Sequence, residues 1–558
     1  MKKSKKIEIY CENTKSFHQY MIGTKLTDIL KDVLPGQEKS IIGALVNNTS
    51  KDLNYQIYKP KKVFFFDYGH DEGRRMYLRS IIFVLYKACS ELFPHGDLTV
   101  RHPISNGYYC TLDNTNLYLD DHNIELLKER MRSIIVADLP FNHEEILTEK
   151  AIDIFEKEGH FSKIDLLKTR GNVYTSVYSL DEDVDYFYGK LVPSTGFLEN
   201  FDIIPYYKGI LLRLPQINNP NELRPFIEQP KLLRVLSESR RWGKIIKAQN
   251  IGDLNRMVES GEIQDLINLS EALLNKKVAK IADEIRKQRK KLKIILIAGP
   301  TSSGKTTFSK KLEVQLRVNG MNPVKISLDN YFVNREDNPV DENGELDFET
   351  IDALDLPLFN ADLLKLIKGE EVEMPKFSFE KGERYYDGEF LSVKKRDLII
   401  LEGIHALNPK LTREIPDEVK FRIYISALTS ISIDNHNLIK TSDNRLIRRI
   451  VRDAKFRNYS AAETIKRWPS VRRGEFKHIF PFQENADAMV NTALLYELSV
   501  LKNYAKPILE EVKPTLPEYY TAQRLLKFFS YFLPVEDQHI PPTSILKEFL
   551  GGSSFSYD

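Results

Sequence analysis

Residues Gly299 to Thr306 run Gly-Pro-Thr-Ser-Ser-Gly-Lys-Thr and fit the spacing G-x-x-x-x-G-K-[ST]. A loop of this kind aims successive backbone N–H groups at one point. The helix that follows it adds partial positive charge at its N-terminus, so the pair suits phosphate oxygens. Gly299, Pro300, Thr301, Ser302, Ser303, Gly304, Lys305, Thr306 and the next residue, Thr307, form the candidate nucleotide-binding set. Lys305 has the reach for β- and γ-phosphates, and the Thr306 hydroxyl suits Mg²⁺.

The elements that must position this loop are legible around it. The apolar run Ile294–Ala298 reads as a buried strand, and Phe308–Val318 reads as an amphipathic helix stopped by Asn319-Gly320. Further strands are predicted at Val324–Leu328, Leu398–Leu401 and Phe421–Ile425; the first ends at Asp329 and the second at Glu402. Strands alternating with helices predict an α/β fold with a doubly wound parallel sheet, whose functional groups gather at the carboxyl ends of the strands. The loop, Asp329 and Glu402 would then meet in one crevice. A single carboxylate at a strand end also reads as a helix cap; two beside a phosphate loop favour phosphoryl chemistry.

The bulk composition bounds the rest. A chain of 558 residues predicts several domains. With 42% hydrophobic and 29% charged residues it reads as soluble globular protein, and a net charge of +2 gives no global pull toward nucleic acid. Cys11, Cys89 and Cys110 are widely spaced, which predicts neither a disulfide framework nor a zinc knuckle and points to a reducing cytoplasm. The basic start Met1-Lys2-Lys3-Ser4-Lys5-Lys6 lacks a following apolar stretch, so it does not read as a secretory signal, and the run Ile81–Tyr86 is too short to span a bilayer. No membrane association is expected.

The front of the chain predicts strands at residues 7–11 and 18–22, a helix from Leu26 to Val33 capped by Thr24, and strands at Ile41–Val46 and Val63–Phe66. This order is similar to the TGS β-grasp module of threonyl-tRNA synthetases. A helix from Arg79 to Leu92, the run Phe93-Pro94-His95, an Asn106-Gly107 hairpin signal and a capped helix from Asp120 to Met131 follow, and they resemble the editing domain of the same synthetases. In that family the leading helix carries H-x-x-x-H and a later C-x-x-x-H completes a cluster. The aligned positions here are Arg79 and Phe83, then Leu191 and Thr195, and the resemblance therefore implies the shape without the hydrolytic cluster. Residues 217–290 read as a helical connector, with helices at about 232–249 and 263–289, ending in the basic run Arg286–Lys293. That run reads more simply as a solvated helix end than as an RNA-attracting patch.

Residues 291–515 resemble the uridine–cytidine kinase branch of the P-loop kinases, related to phosphoribulokinase. The blocks that carry the resemblance are Gly299–Thr307, Ser327–Phe332, Phe348–Asp355, Leu401–Ile404 and Arg448–Asp453, in that order. The resemblance implies ATP and Mg²⁺, with Asp329 as general base toward a nucleoside 5′-hydroxyl and Glu402 beside Thr306 at the metal. It implies Asp352 on the ribose diol, Phe332 and Phe377 at the substrate, Arg449 on the substrate, and Arg452 and Arg457 closing on phosphates. Three base-facing positions depart from the family: Phe377 replaces a tyrosine, Gly382 stands near a histidine position, and Tyr459 stands for a lid arginine. Base identity therefore stays open. Phe377, Phe379, Tyr385 and Tyr386 read either as stacking groups or as hairpin core. The charged segment Trp468–Glu475 reads as a substrate contact or a tether for the lid, and Gly551–Ser554 reads as disordered.

The expected architecture is thus a TGS-like domain at 1–68, an editing-like domain at 69–216, the connector at 217–290, a P-loop nucleoside kinase at 291–515 and a C-terminal tail at 516–558. The leading functional expectation is phosphorylation of a ribonucleoside by a homo-oligomeric enzyme. The alternatives are an RNA-binding or regulatory protein switched by nucleotide state, the front half supplying RNA contacts, or a P-loop kinase for another small alcohol.

Overall fold

The computed structural model of the chain describes residues 6–114, 119–340, 344, 346–347, 349–378, 380–394 and 396–557. Residues 1–5 of the basic start, Phe348 and Phe379 lie outside the described residues.

At the front, Lys6–Cys11 alternates in burial and turns Ile7, Ile9 and Cys11 inward. It pairs antiparallel with Ser16–Met21 and parallel with Lys61–Phe66. Gly43–Val46 and Thr49–Lys51 complete a five-stranded sheet. The helix Leu26–Val33 closes it through Leu26, Ile29, Leu30 and Val33, one apolar stripe at helical spacing. Thr24 does not cap that helix. It lies in a short strand, and its hydroxyl donates to the Met21 carbonyl at 2.7 Å.

The next helix spans Asp71–Leu92, starting earlier than the Arg79 expected from periodicity, because the His70 ring accepts from the Glu72 amide and acidic residues fill the first turn. It packs with Asp121–Val136 against a four-stranded antiparallel sheet ordered Asp202–Tyr206, Gly209–Arg213, Gly107–Asp113, Asp97–Ile104. The hairpin falls where Asn106-Gly107 predicts it, but its turn residues are Ser105 and Asn106, with φ of 53° and 63°. Arg79 donates to Glu72 at 2.8 Å and to the Lys190 carbonyl at 2.9 Å. Phe83 and Leu191 are buried in the local core. The Thr195 hydroxyl accepts from the Leu139 amide at 2.9 Å and donates to the Ile134 carbonyl at 2.8 Å. All four positions aligned with the synthetase cluster thus serve packing or backbone ties.

The connector holds three helices, Pro230–Ile246, Ile251–Glu259 and Ile263–Lys287. The middle one, absent from the periodicity reading, starts at an Asn250–Asp253 capping box.

The second half is built on a five-stranded sheet ordered Pro323–Ser327, Leu398–Glu402, Ile294–Ala298, Lys420–Ser426, Ala488–Asn491. Every pairing in it is parallel. The central strand is buried at all five positions, as expected for a strand covered on both faces. The chain after residue 516 is part of this core. The helix Tyr519–Phe529 and residues Tyr531, Phe532, Ile545, Phe549 and Leu550 share one apolar cluster with the P-loop helix Lys305–Val318. Gly551–Ser554, read as disordered from composition, is held: the Ser554 amide donates to the Pro542 carbonyl at 3.0 Å.

An ionic junction ties the halves together. Asp443 takes both guanidinium nitrogens of Arg75 at 3.1 Å and those of Arg524 at 2.7 and 3.2 Å. Beside it Glu72 accepts from Arg79 and from the Tyr520 hydroxyl. The cysteines are free and buried. Among the described residues no helix is long and apolar enough to cross a membrane.

Candidate active site

The central strand delivers Gly299 against the neighbouring strand. A Cβ there would lie 2.2 Å from the Ile425 carbonyl oxygen, so the backbone approach itself requires glycine. Ser302 and Gly304 take φ of 58° and 84°, which curls the loop before the helix begins at Lys305. The Lys305 ammonium donates to the Gly299 carbonyl at 3.0 Å, folded back on its own loop.

Thr306 faces the neighbouring strand end. Its hydroxyl donates to Glu402 at 3.0 Å, and Lys325 sits 2.9 Å from the other carboxylate oxygen. A hydroxyl and a carboxylate meeting beside a phosphate loop are hard oxygen donors, and they fit Mg²⁺, which keeps several waters and needs few protein ligands.

Asp329 follows the edge strand Pro323–Ser327 in a tight turn, Leu328–Tyr331. Its side chain is exposed, and partial desolvation by the protein around it, together with the Glu402 charge, holds its carboxyl above the ordinary 3.8. Lys305, Arg457 and Lys325 pull the other way. Asp329, Glu402, Lys305, Lys325 and Arg457 therefore share one electrostatic neighbourhood. The segment carrying Asp352 runs alongside: the Val333 amide donates to the Ala353 carbonyl at 2.9 Å, and the Asp355 amide to the Tyr331 carbonyl at 2.8 Å. Asp352 itself is exposed, its amide bonded to the Thr350 hydroxyl at 3.4 Å. Phe332 and Phe377 form a tilted ring pair 5.6 Å apart on the same side. Tyr385 and Tyr386 point outward and are half-exposed. The Tyr459 ring is covered by Arg467, whose guanidinium is 4.3 Å from the ring centre.

The arginines of the helix Thr441–Phe456 and its end divide into two sets. Arg449, Arg452 and Arg457 all turn to Asp453, at 3.1, 2.8 and 3.7 Å. Three cations on one carboxylate leave an unbalanced positive cluster, and burial with the nearby Arg452 lowers the Arg457 pKa. Arg445 and Arg448 go the other way and are fully buried. Arg445 pairs with Glu475 at 2.6 Å and donates to the Thr301 carbonyl at 3.2 Å. Arg448 pairs with Glu497 and donates to the carbonyls of Thr492 at 3.0 Å and Ser302 at 3.4 Å. They brace the back of the loop, whereas Arg449, the neighbour of Arg448, turns to Asp453. Trp468 lies under Arg445 at 5.5 Å, so the Trp468–Glu475 segment tethers the arginine helix.

Glu349 is a residue that motif reading passed over. Burial, then the nearby Glu475 charge, pushes its carboxyl up to about 7, against the pull of Arg449 and Lys305. It thus stands at the rim of the same crevice. Its place in one block with Asp352 was the available signal.

Residues 294–496 match the model of the Phosphoribulokinase / Uridine kinase family. Among curated proteins, the threonine–tRNA ligase of Desulforamulus reducens is 28% identical over 199 residues, 35% of this chain and 31% of that protein. The threonine–tRNA ligase of Syntrophomonas wolfei is 26% identical over 199 residues, with the same coverage of each. The chain therefore spans about a third of the length of these relatives. Among solved structures, a possible uridine kinase from Bacillus stearothermophilus is 22% identical with a TM-score of 0.21, covering 29% of this chain and 80% of that one. The match to the phosphoribulokinase and uridine kinase family model thus runs from Ile294 to Tyr496, and the likeness to threonyl-tRNA synthetases lies in the N-terminal half.

Proposed function

We propose that this protein transfers the γ-phosphoryl group of ATP to the 5′-hydroxyl of a ribonucleoside. The observation that carries the reading is the convergence of Lys305, Asp329, Glu402 and Arg457 at the carboxyl ends of adjacent parallel strands. In this reading the loop amides and Lys305 hold the β- and γ-phosphates, and Thr306 with Glu402 would hold Mg²⁺, which when bound neutralises charge on the phosphate oxygens. Asp329 accepts the hydroxyl proton while the 5′-oxygen bonds to the γ-phosphorus. The bond from that phosphorus to the bridging oxygen breaks, and ADP leaves with the electron pair. A raised proton affinity suits a carboxylate to this task. Asp352 takes the ribose diol, Phe332 and Phe377 flank the base, and Arg449, Arg452 and Arg457 meet phosphate charge that Asp453 leaves uncompensated. The supporting arguments are positional, since positioning and electrostatics dominate phosphoryl transfer.

The test is ADP release by the purified full chain with Mg²⁺-ATP against ribo- and deoxyribonucleosides, pantothenate and ribulose 5-phosphate, with Lys305→Ala as the blank. Turnover with ribonucleosides, lost in the blank, supports the proposal. Turnover with another alcohol alone moves the acceptor. ATP binding without any acceptor-dependent turnover overturns the kinase reading and favours a nucleotide-state switch, with salt-dependent RNA binding by the front half as its readout. A cytoplasmic homo-oligomer is part of the proposal, and light scattering on the full chain checks the assembly.

A further inference from the structure

The P-loop already holds an oxyanion that comes from the chain itself. Thr307 is the third residue of the helix Lys305–Val318, so its amide is one of the donors a helix leaves free at its N-terminus. Those amides, with the loop, are the groups that cradle the nucleotide's phosphates in this motif. Here the Glu548 carboxylate accepts from the Thr307 amide at 3.1 Å and from the Thr307 hydroxyl at 2.7 Å. The Tyr557 hydroxyl lies 2.9 Å from the same Thr307 oxygen. Thr307 is fully buried.

The segment that brings Glu548 there is built in. Ile545, Leu546, Phe549 and Leu550 are buried in the main core. The Ile545 side chain fills the space beside Gly304, 2.5 Å from where a Cβ would stand. Two contacts come from the arginine helix: the Phe549 ring lies 5.1 Å from the Arg448 guanidinium, and Lys455 donates to the Leu550 carbonyl. Beyond residue 551 the segment is held by the Ser554 amide on the Pro542 carbonyl and by Tyr557 at Thr307, with Ser553 bonding to Phe555 and Tyr557 within it.

A carboxylate and a phosphate ask for the same donors and carry the same sign of charge. We propose that Glu548, with Tyr557, is an internal competitor for the phosphate donors at Thr307, and that nucleotide binding requires the Glu548 side chain to swing away while the core part of the segment stays packed. The closing element is thus the C-terminal segment of this same chain, and its anchors on Arg448 and Lys455 couple its release to the helix that carries the crevice arginines. This rests on the proposed nucleotide binding by the loop.

The test is the affinity of the full chain for a fluorescent ADP analogue with Mg²⁺, measured for the wild type, Lys305→Ala, Glu548→Gln and a chain ending at Gly552. Glu548→Gln should bind about tenfold more tightly, the size of a competing charge-assisted hydrogen bond. The shortened chain should bind more tightly by a smaller factor. Unchanged or weaker binding in Glu548→Gln overturns the proposal, weaker binding meaning that the carboxylate supports the nucleotide. Should Glu548→Gln fail to melt cooperatively, the shortened chain decides in the same sense, unchanged or weaker binding refuting. If neither the wild type nor either C-terminal variant binds nucleotide, the reading of the loop has failed. If the wild type binds, Lys305→Ala does not and the C-terminal variants equal the wild type, only the competitor has failed.

Discussion

Removing the charge of Glu497 tests whether the loop's back wall is held by a buried ion pair. Glu497 is 1% exposed, and it receives Arg448, the Asn444 amide and, at 3.1 Å, the Leu494 amide. Arg448 is itself fully buried, and its Nε has no hydrogen-bond partner among the described residues. Glu497→Gln keeps shape and volume, so no cavity forms and the loss is electrostatic. A buried guanidinium deprived of its counter-ion costs about 3–5 kcal/mol, against about 0–1 kcal/mol for an exposed pair. At roughly 2–4 °C per kcal/mol for a cooperative unit of 150–250 residues, the melting temperature should fall by roughly 6–20 °C. Calorimetry on the variant reads this directly. The double variant Arg448→Met with Glu497→Leu should recover most of the loss, because an apolar pair of similar volume often replaces a buried ion pair without penalty. A single variant melting within about 2 °C of the wild type, inside the range of an exposed pair, would refute the claim that this pair is desolvated and coupled.

Four further outcomes follow from the geometry. Asp329→Asn should retain nucleotide binding and lose roughly 10²–10⁴-fold in turnover, the span of general base catalysis; unchanged turnover would remove Asp329 from the reaction. In the wild type the base works ionised, so the acid limb of the rate profile should lie above 3.8, in the direction that burial and Glu402 move Asp329, and should vanish in that variant. Glu349 holds its proton to about 7 in the folded chain while the unfolded chain releases it near 4.5, so wild-type stability should fall as pH rises between those values. Glu349→Gln should lose that slope, and parallel denaturation profiles across this interval would count against the raised proton affinity of Glu349. Phe377→Tyr places a hydroxyl beside the Phe332 ring and should change the ranking of nucleosides in the turnover panel; an identical ranking would place Phe377 away from the base.

The parallel sheet and its loop were legible because their signals are local: short runs of Ile and Leu, a glycine spacing, and acidic residues just past the strands. The same locality explains the misses. Arg448 and Arg449 are adjacent and chemically identical, and only the arrival of Glu497 from far along the chain sends one inward. Ser105 displaced Gly107 from the hairpin turn because the Gly107 backbone passes close to the Leu212 carbonyl, where a Cβ would lie 2.6 Å away. Gly551-Gly552-Ser553-Ser554 has the composition of a free end, but the core residues before it and the Ser554 bond to Pro542 hold it, a tertiary effect that composition does not register. His70 as a helix cap and Glu349 in the crevice each needed the partner's position, not its type.

The Asp443 junction also sets a timetable for synthesis. Arg75 emerges long before its counter-ion, which lies 368 residues later, and Arg524 follows Asp443 by another 81. At about 5–20 residues per second, the helix Asp71–Leu92 waits on the order of 20–70 s with a guanidinium destined for burial. In that interval Asp71, one turn away at 2.8 Å, is the partner within its own helix. Vectorial translation therefore lets the front pack its own apolar cores first, and the Arg75 junction closes only once Asp443 and Arg524 have emerged.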